Sequence, residues 1–332
     1  MDQRQPETAI AVEVKRIVGH YDFSDAVEVR LLAQSENIVF LVDDPARTQK
    51  YVARVNSGRL AYHSKPSIES EMEWLMAIRR DTDIRVPDVL ADRNGDTVHT
   101  LNLGEKNNTR FAALYSFLEG IEPPEDNLVR DFFGLGAITA KLHEHSKCWT
   151  PPDSFKRHSW SAEDILDDTL NWGHWKDGIG IEGETAQVLA RAETVVRKRM
   201  EDLPSDKDNF GLIHADLRLP NLLVNGAQMS IIDFDDCGYG WFLYELAAAV
   251  SFIEDHADFD QLLSRWIEGY QTVSEIDQEI LDALPTLLLL RRFSLIAWLG
   301  YQQDHLEFAR EIGPSFTRDA HAQAIDYLER WG

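Results

Sequence analysis

His214-Ala215-Asp216-Leu217-Arg218-Leu219-Pro220-Asn221, followed by Ile231-Ile232-Asp233, decides how this chain is read. An Asp is followed five residues later by an Asn and seventeen residues later by a second Asp. Phe210-Gly-Leu-Ile213 just before is apolar and predicts a short buried segment, so that His214 opens a loop. An Asp presented there can accept a hydrogen bond from a substrate hydroxyl and orient it for attack. Asn221 offers a side-chain carbonyl oxygen to Mg²⁺, and Asp233 the anionic oxygen that this hard cation requires. Pro220 fixes its own φ and disfavours helical geometry at Leu219, so the loop does not wind into a helix. Residues 222–224, the turn Asn225-Gly226 and residues 229–232 predict a hairpin with a type I′ turn, which returns Asp233 beside Asn221. Any one of these polar residues alone reads as an ordinary turn residue. The joint spacing is what points to phosphoryl transfer.

The composition sets outer bounds. With 332 residues, 44% hydrophobic and 27% charged, the chain reads as globular and long enough for two cores. No run of about eighteen apolar residues occurs, so no membrane span is expected. Met1-Asp-Gln-Arg-Gln-Pro lacks the basic and apolar regions of a signal peptide. Two distant cysteines, Cys148 and Cys237, make neither a disulfide framework nor a zinc spacing. A cytoplasmic setting is therefore expected. The net charge of −24 repels nucleic acid and anionic membranes and favours a cationic partner, although acidity can also serve solubility alone.

Outward from the motif, the texture of the chain changes once. Residues 8–20 have a helical spacing, and residues 27–32, 38–42 and 51–55 are β-rich runs. Residues 68–80 predict a helix with Ile68, Met72, Leu75, Met76 and Ile78 on its apolar side. Asn94-Gly95 predicts a hairpin joining 89–91 to 98–103, and 111–117 is a further strand. Beyond Gly120 the pattern is helical at 126–145, 162–170, 184–203 and from 241 to 331. The expected fold class is α+β: a β-rich N-terminal lobe over 1–118 and a mainly helical C-terminal lobe over 119–332. Strands and helices do not alternate regularly, which argues against a doubly wound sheet.

His214-Ala-Asp216 through Asn221 with Ile232-Asp233 resembles the catalytic core of the aminoglycoside phosphotransferase/choline kinase superfamily. A bacterial phosphotransferase branch is closer still, one resembling type II homoserine kinases and stress-response kinases. Ile232-Asp-Phe-Asp-Asp-Cys-Gly238, Gly240-Trp-Phe-Leu-Tyr-Glu-Leu-Ala247 and Arg291-Arg292 carry that likeness, which spans roughly residues 25–310. It implies a protein-kinase-like two-lobed fold, ATP and Mg²⁺. It implies Asp216 as catalytic base, Asn221 and Asp233 as metal ligands, and His214 as a support of the loop. Asp235 and Asp236 are open between a second metal contact, an anchor for a cationic substrate group and a solvated turn.

The kinase fold places a lysine on the third strand to hold phosphates, paired to a helix glutamate. Arg54, in Tyr51-Val-Ala-Arg54-Val55, stands there, and arginine retains the phosphate chemistry. Its expected partner is Glu71, with Glu69 as the alternative. No G-x-G-x-x-G and no P-loop is present. Ser35 and Asn37, in a strand–turn–strand, can donate to phosphates or simply form a polar turn. Phe117-Leu118-Glu119-Gly120 is the expected hinge whose backbone reads adenine.

The acceptor side is less determined. Trp160, Trp172, Trp175, Tyr239, Trp241 and Trp298 can hold an amine by cation–π attraction or pack a core. Arg291 and Arg292 lie in the apolar run 287–298, where an arginine must pair with a carboxylate or face a cavity. A substrate carboxylate, Asp236 and Glu245 are the open partners for them. Glu245 stands where the family has Asp and is expected to support the catalytic loop. Asp236, Tyr239, Trp241, Arg292 and Trp298 are the acceptor-site candidates. The expected acceptor is a small amine-bearing alcohol, of homoserine, choline or aminoglycoside type. A stress-response Ser/Thr protein kinase and a nucleotide-binding pseudokinase are the alternatives.

Overall fold

A computed structural model describes residues 4–58, 62–104, 109–124, 127–167, 169, 173–226 and 228–332. The chain forms two compact units. The first comprises Met1–Ile121, Thr150–Arg157 and Leu223–Asp235, and the second comprises Glu122–Trp149, His158–Leu222 and Asp236–Gly332.

The first unit opens with helix α1 (Arg4–Val18) and the strands β1 (Glu28–Gln34), β2 (Ile38–Asp44) and β3 (Gln49–Val55). Helix α2 (Lys65–Asp81) and strands β4 (Val89–Leu90), β5 (Val98–Leu101) and β6 (Arg110–Ser116) follow. The sheet is antiparallel, ordered β1-β2-β3-β6-β4, with β5 also on β6. Ile10, Val14, Ile17 and Val18 of α1 recur at helical spacing and pack against Phe40, Val42, Ala53 and Leu114 of the sheet. Helix α2 starts where the Ser64 side chain accepts the Ser67 backbone N–H, with Pro at its first turn. Its Trp74 is fully buried and meets Phe234 edge to face, with ring centroids 5.5 Å apart.

Two expectations need correction here. Met76 is 44% exposed rather than on the buried side of α2, where Trp74 and Ala77 complete the apolar stripe instead. Asn94-Gly95 does turn the chain, with Gly95 at φ +91° and the Asp92 carboxylate accepting the N–H groups of Asn94 and Asp96. The flanking strands do not pair with each other, however. The seven-residue β6 takes both, β4 at Leu114–Tyr115 and β5 along Arg110–Ala113.

The second unit contains α3 (Leu128–Cys148), α4 (Ala162–Leu166), α5 (Gly183–Glu201) and strand β7 (Phe210–Ile213). Strands β8 (Leu222–Asn225) and β9 (Gln228–Ile231), which from Leu223 on belong to the first unit, then form the hairpin expected after the motif. Its turn holds Gly226, at φ +62°, while Ala227 lies outside the described residues. Strand β10 (Gly238–Trp241), which the sequence pattern did not reveal, pairs antiparallel with β7. The rest is helical: α6 (Tyr244–Ala249), α7 (Phe259–Tyr270), α8 (Gln278–Asp282), α9 (Leu284–Gln302) and α10 (Glu307–Trp331). Among the described residues no helix is long and apolar enough to cross a membrane.

Helices α3 and α7 approach backbone to backbone at two glycines. A Cβ on Gly136 would fall on the carbonyl oxygen of Trp266, and one on Gly269 on that of Phe133. Backbone cannot yield as a flexible side chain does, so Gly269→Ala must push the helices apart. A loss of about 1–3 kcal/mol in urea unfolding is expected. An unchanged midpoint would show that this crossing carries no tight packing.

Candidate active site

The first unit builds a cation surrounded by carboxylates. Arg54 on β3 is buried, and its Nη2 lies 2.5 Å from Glu71 Oε2 on α2 and 3.4 Å from Asp235 Oδ1. Its Nη1 is 3.6 Å from Asp233 Oδ1. Glu71, not Glu69, is thus the partner, since Glu69 pairs with Lys65. Burial works against the Arg54 charge, and Glu71 more than restores it, with the pKa raised well above the ordinary value.

Asp233 has φ +63°, a left-handed backbone rare outside glycine, and its carboxylate is half exposed. Asp235 is the opposite case. It is buried and accepts hydrogen bonds from Asn37 Nδ2 at 2.7 Å and His63 Nε2 at 2.8 Å. Burial opposes its charge, but His63 and Arg54 hold the carboxyl well below the usual carboxylate range. Asp235 is therefore no solvated turn. The Asn37 amide, expected to donate to phosphates, is committed to it. His63 had no sequence signal, because its partner is 172 residues away.

A cavity of about 380 Å³ adjoins this cluster. Val39, Val52, Leu75 and Ile232 give it apolar walls, while Asn37, Arg54, Glu71 and Asp233 line its polar part. Ser35, Phe117 and Leu118 also line it, and Glu119 does not. The Phe117 N–H is bound to the Lys50 carbonyl, and Lys50 Nζ lies over the Phe117 ring.

The second unit carries the loop motif. Asp216 follows Ala215, which has φ +66°. Its Oδ1 accepts from Arg218 Nε at 3.0 Å and Arg291 Nη2 at 2.9 Å, and its Oδ2 from Asn221 Nδ2 at 3.0 Å. Burial pushes the Asp216 pKa up, but Arg218 and then Arg291 outweigh it, leaving the carboxyl below its ordinary value. The two guanidinium groups hold the carboxyl in place as an anion. Asn221 spends its amide N–H groups on Asp216, which leaves its side-chain carbonyl oxygen as the atom that could meet a metal. Glu245 braces the loop, accepting the N–H groups of His214 at 3.1 Å and Ala215 at 2.6 Å. Behind it His143 is fully buried and bonded to the Tyr270 hydroxyl.

The remaining candidates separate. Arg291 pairs with Asp216, with Asp236 as a further nearby negative charge, and Arg292 pairs with Glu254 at 2.9 Å while lying over the Phe316 ring. Trp241 is buried, with its indole N–H on the Pro204 carbonyl. Trp160 and Trp175 are fully buried in packing. Tyr239 is half-buried in β10, and the Asp236 carbonyl accepts the Trp160 indole N–H. Trp298 is partly exposed and faces Phe252. Trp172 lies outside the described residues.

A loop aspartate held anionic beside an asparagine in one unit, and an arginine set among carboxylates in the other, are the kinds of group that a kinase-like phosphotransferase acting on a hydroxyl would use. Residues 28–284 match the phosphotransferase enzyme family, and the chain belongs to it. The chain is 27% identical over 316 residues to amicoumacin kinase of Bacillus subtilis (strain 168), covering 91% of this chain and 89% of that protein. It is 26% identical over 328 residues to homoserine kinase of Rhodopseudomonas palustris (strain ATCC BAA-98 / CGA009), covering 91% of each. Among solved structures, a microcompartment-associated aminopropanol kinase superposes with a TM-score of 0.86 at 38% identity, over 96% of this chain and 98% of that one.

Proposed function

We propose that the protein transfers the γ-phosphate of ATP to the hydroxyl of a small amine-bearing alcohol, with Mg²⁺ as the metal. The observation that carries this reading is the Asp216 carboxylate, held as an anion by Arg218 and Arg291 and bonded to Asn221. Asp216 accepts the hydrogen bond of the acceptor hydroxyl and aligns it. Arg54 binds the nucleotide phosphates, the apolar cavity takes the base, and Phe117 and Leu118, which line it, bring the segment expected to read the base to its wall. Asn221 and Asp233 are the residues assigned to Mg²⁺, whose oxygen-donor preference they meet. When bound, the ion neutralises phosphate charge.

Three features support a short amino alcohol over a larger acceptor. The chain resembles an aminopropanol kinase along nearly its whole length. Its net charge of −24 attracts a cation. The buried tryptophans Trp160 and Trp175 are taken up in the core, which argues against a broad aromatic cage. ADP release measured across aminopropanols, ethanolamine, homoserine, choline, aminoglycosides and a generic protein substrate tests the reading. The highest kcat/KM is expected for a short amino alcohol. Turnover with the protein substrate alone would overturn the small-molecule assignment.

A further inference from the structure

We propose that His20, Asp92 and His99 form a binding site for a zinc-class transition-metal ion, apart from the nucleotide chemistry. His20 follows the C-terminus of α1, Asp92 opens the 92–96 turn, and His99 lies on β5. One ligand atom from each residue lies within 4.8 Å of the other two. Two imidazoles and one carboxylate suit Zn²⁺ and its neighbours, with water completing the shell.

The ligands are already oriented by the surrounding structure. Asp92 Oδ1 accepts the N–H groups of Asn94 at 2.8 Å and Asp96 at 3.0 Å. Its Oδ2 is left with a long contact to Asn94 Nδ2 at 3.4 Å and with His20 Nδ1 at 4.0 Å. The Tyr21 hydroxyl, 2.9 Å from His99 Nε2, fixes the plane of that ring, as partners of metal-bound histidines do. Asp96 adds negative charge nearby and Lys65 opposes it.

Closure needs a modest movement. Bonds of about 2.0–2.1 Å set ligand atoms roughly 3.3 Å apart in a tetrahedral shell, so no pair in the group need contract by more than about 1.5 Å. The His20 side chain is 41% exposed and can supply that movement, whereas Asp92 is buried at 2%. The backbone here is already strapped, because Arg93 N–H donates to the His20 carbonyl and Arg93 Nη1 to that of Gly19. A bound ion would clamp the end of α1 to the turn and to β5.

The test is a calorimetric titration of chelator-stripped, nucleotide-free protein with Zn²⁺ in excess Mg²⁺, which occupies hard oxygen sites. One Zn²⁺ per chain is expected, with a higher Tm and the visible absorption of a tetrahedral complex when Co²⁺ replaces it. His20→Gln should weaken Zn²⁺ binding at least about tenfold and remove the Tm rise. ATP turnover without Zn²⁺ should be unchanged in that variant. His99→Gln should weaken Zn²⁺ binding likewise. No Zn²⁺ binding by the wild type, or equal affinity in both variants and wild type, would overturn the proposal.

Discussion

Asp216→Asn is expected to lower kcat by about 10²–10⁴-fold while leaving MgATP affinity nearly unchanged. The substitution keeps the shape of the side chain and removes its charge. The acceptor hydroxyl then loses the anion that aligns it, and the asparagine amide turns donor atoms toward Arg218 and Arg291. The same change has a structural cost, because Arg291 is only 4% exposed and loses its counter-ion. That cost stays below the roughly 3–5 kcal/mol of a fully buried broken pair, since the Asp216 side chain is 18% exposed. Single-turnover kinetics, nucleotide titration and thermal melting on one preparation separate the two effects. If kcat stays within about tenfold of wild type, Asp216 is not the orienting base.

The second large effect concerns Arg54. Arg54→Met leaves Glu71, Asp233 and Asp235 without their shared cation. Stability should fall by about 3–5 kcal/mol, the usual penalty for an uncompensated buried charge. ATP affinity should fall as well. Hydrogen bonds to charged groups contribute about 1.5–3 kcal/mol, or roughly 10–150-fold in Kd. The two losses can be told apart with Arg54→Met/Glu71→Leu, which removes both ends of the 2.5 Å pair. That double variant should regain much of the stability, because neither buried charge remains to be solvated. Its ATP affinity should stay low. Wild-type affinity in the double variant would mean that Arg54 serves only the ion pair.

What could be read from the chain divides by sequence separation. Asp216, Asn221 and the turn before Asp233 fall within one short stretch, so the hairpin that follows the motif was legible from spacing. Helix α2 starts at Lys65, three residues before the expected 68, because the Ser64 side chain caps it and Pro66 suits its first turn. Contacts that depend on the folded chain were not legible. Asn37 meets Asp235 across 198 residues, and Arg291 meets Asp216 across 75. Nothing local distinguishes these residues from other polar ones. Strand β10 escaped notice because Gly238-Tyr-Gly-Trp241 has neither length nor β-branching. Strands β4 and β5 were paired with each other because a tight turn between two apolar runs normally means a hairpin. The competing edge of β6 is invisible locally. The aromatic residues show a related ambiguity, as a tryptophan that packs a core and one that lines a pocket share the same apolar surroundings in sequence.

The first unit draws on three separate stretches of chain, the last of them ending at Asp235. A ribosome making this protein therefore delivers Arg54, His63 and Glu71 long before the carboxylates of Asp233 and Asp235 that surround them. At typical synthesis rates the interval is on the order of ten seconds. Throughout it Arg54 has Glu71 but neither Asp233 nor Asp235 beside it, and the neighbouring cavity lacks the wall made by Ile232. Cutting the gene at the hinge would make that waiting state permanent. A fragment carrying the whole first unit would have to be built by splicing residues 150–157 and 223–235 back onto the N-terminal piece, not by truncation.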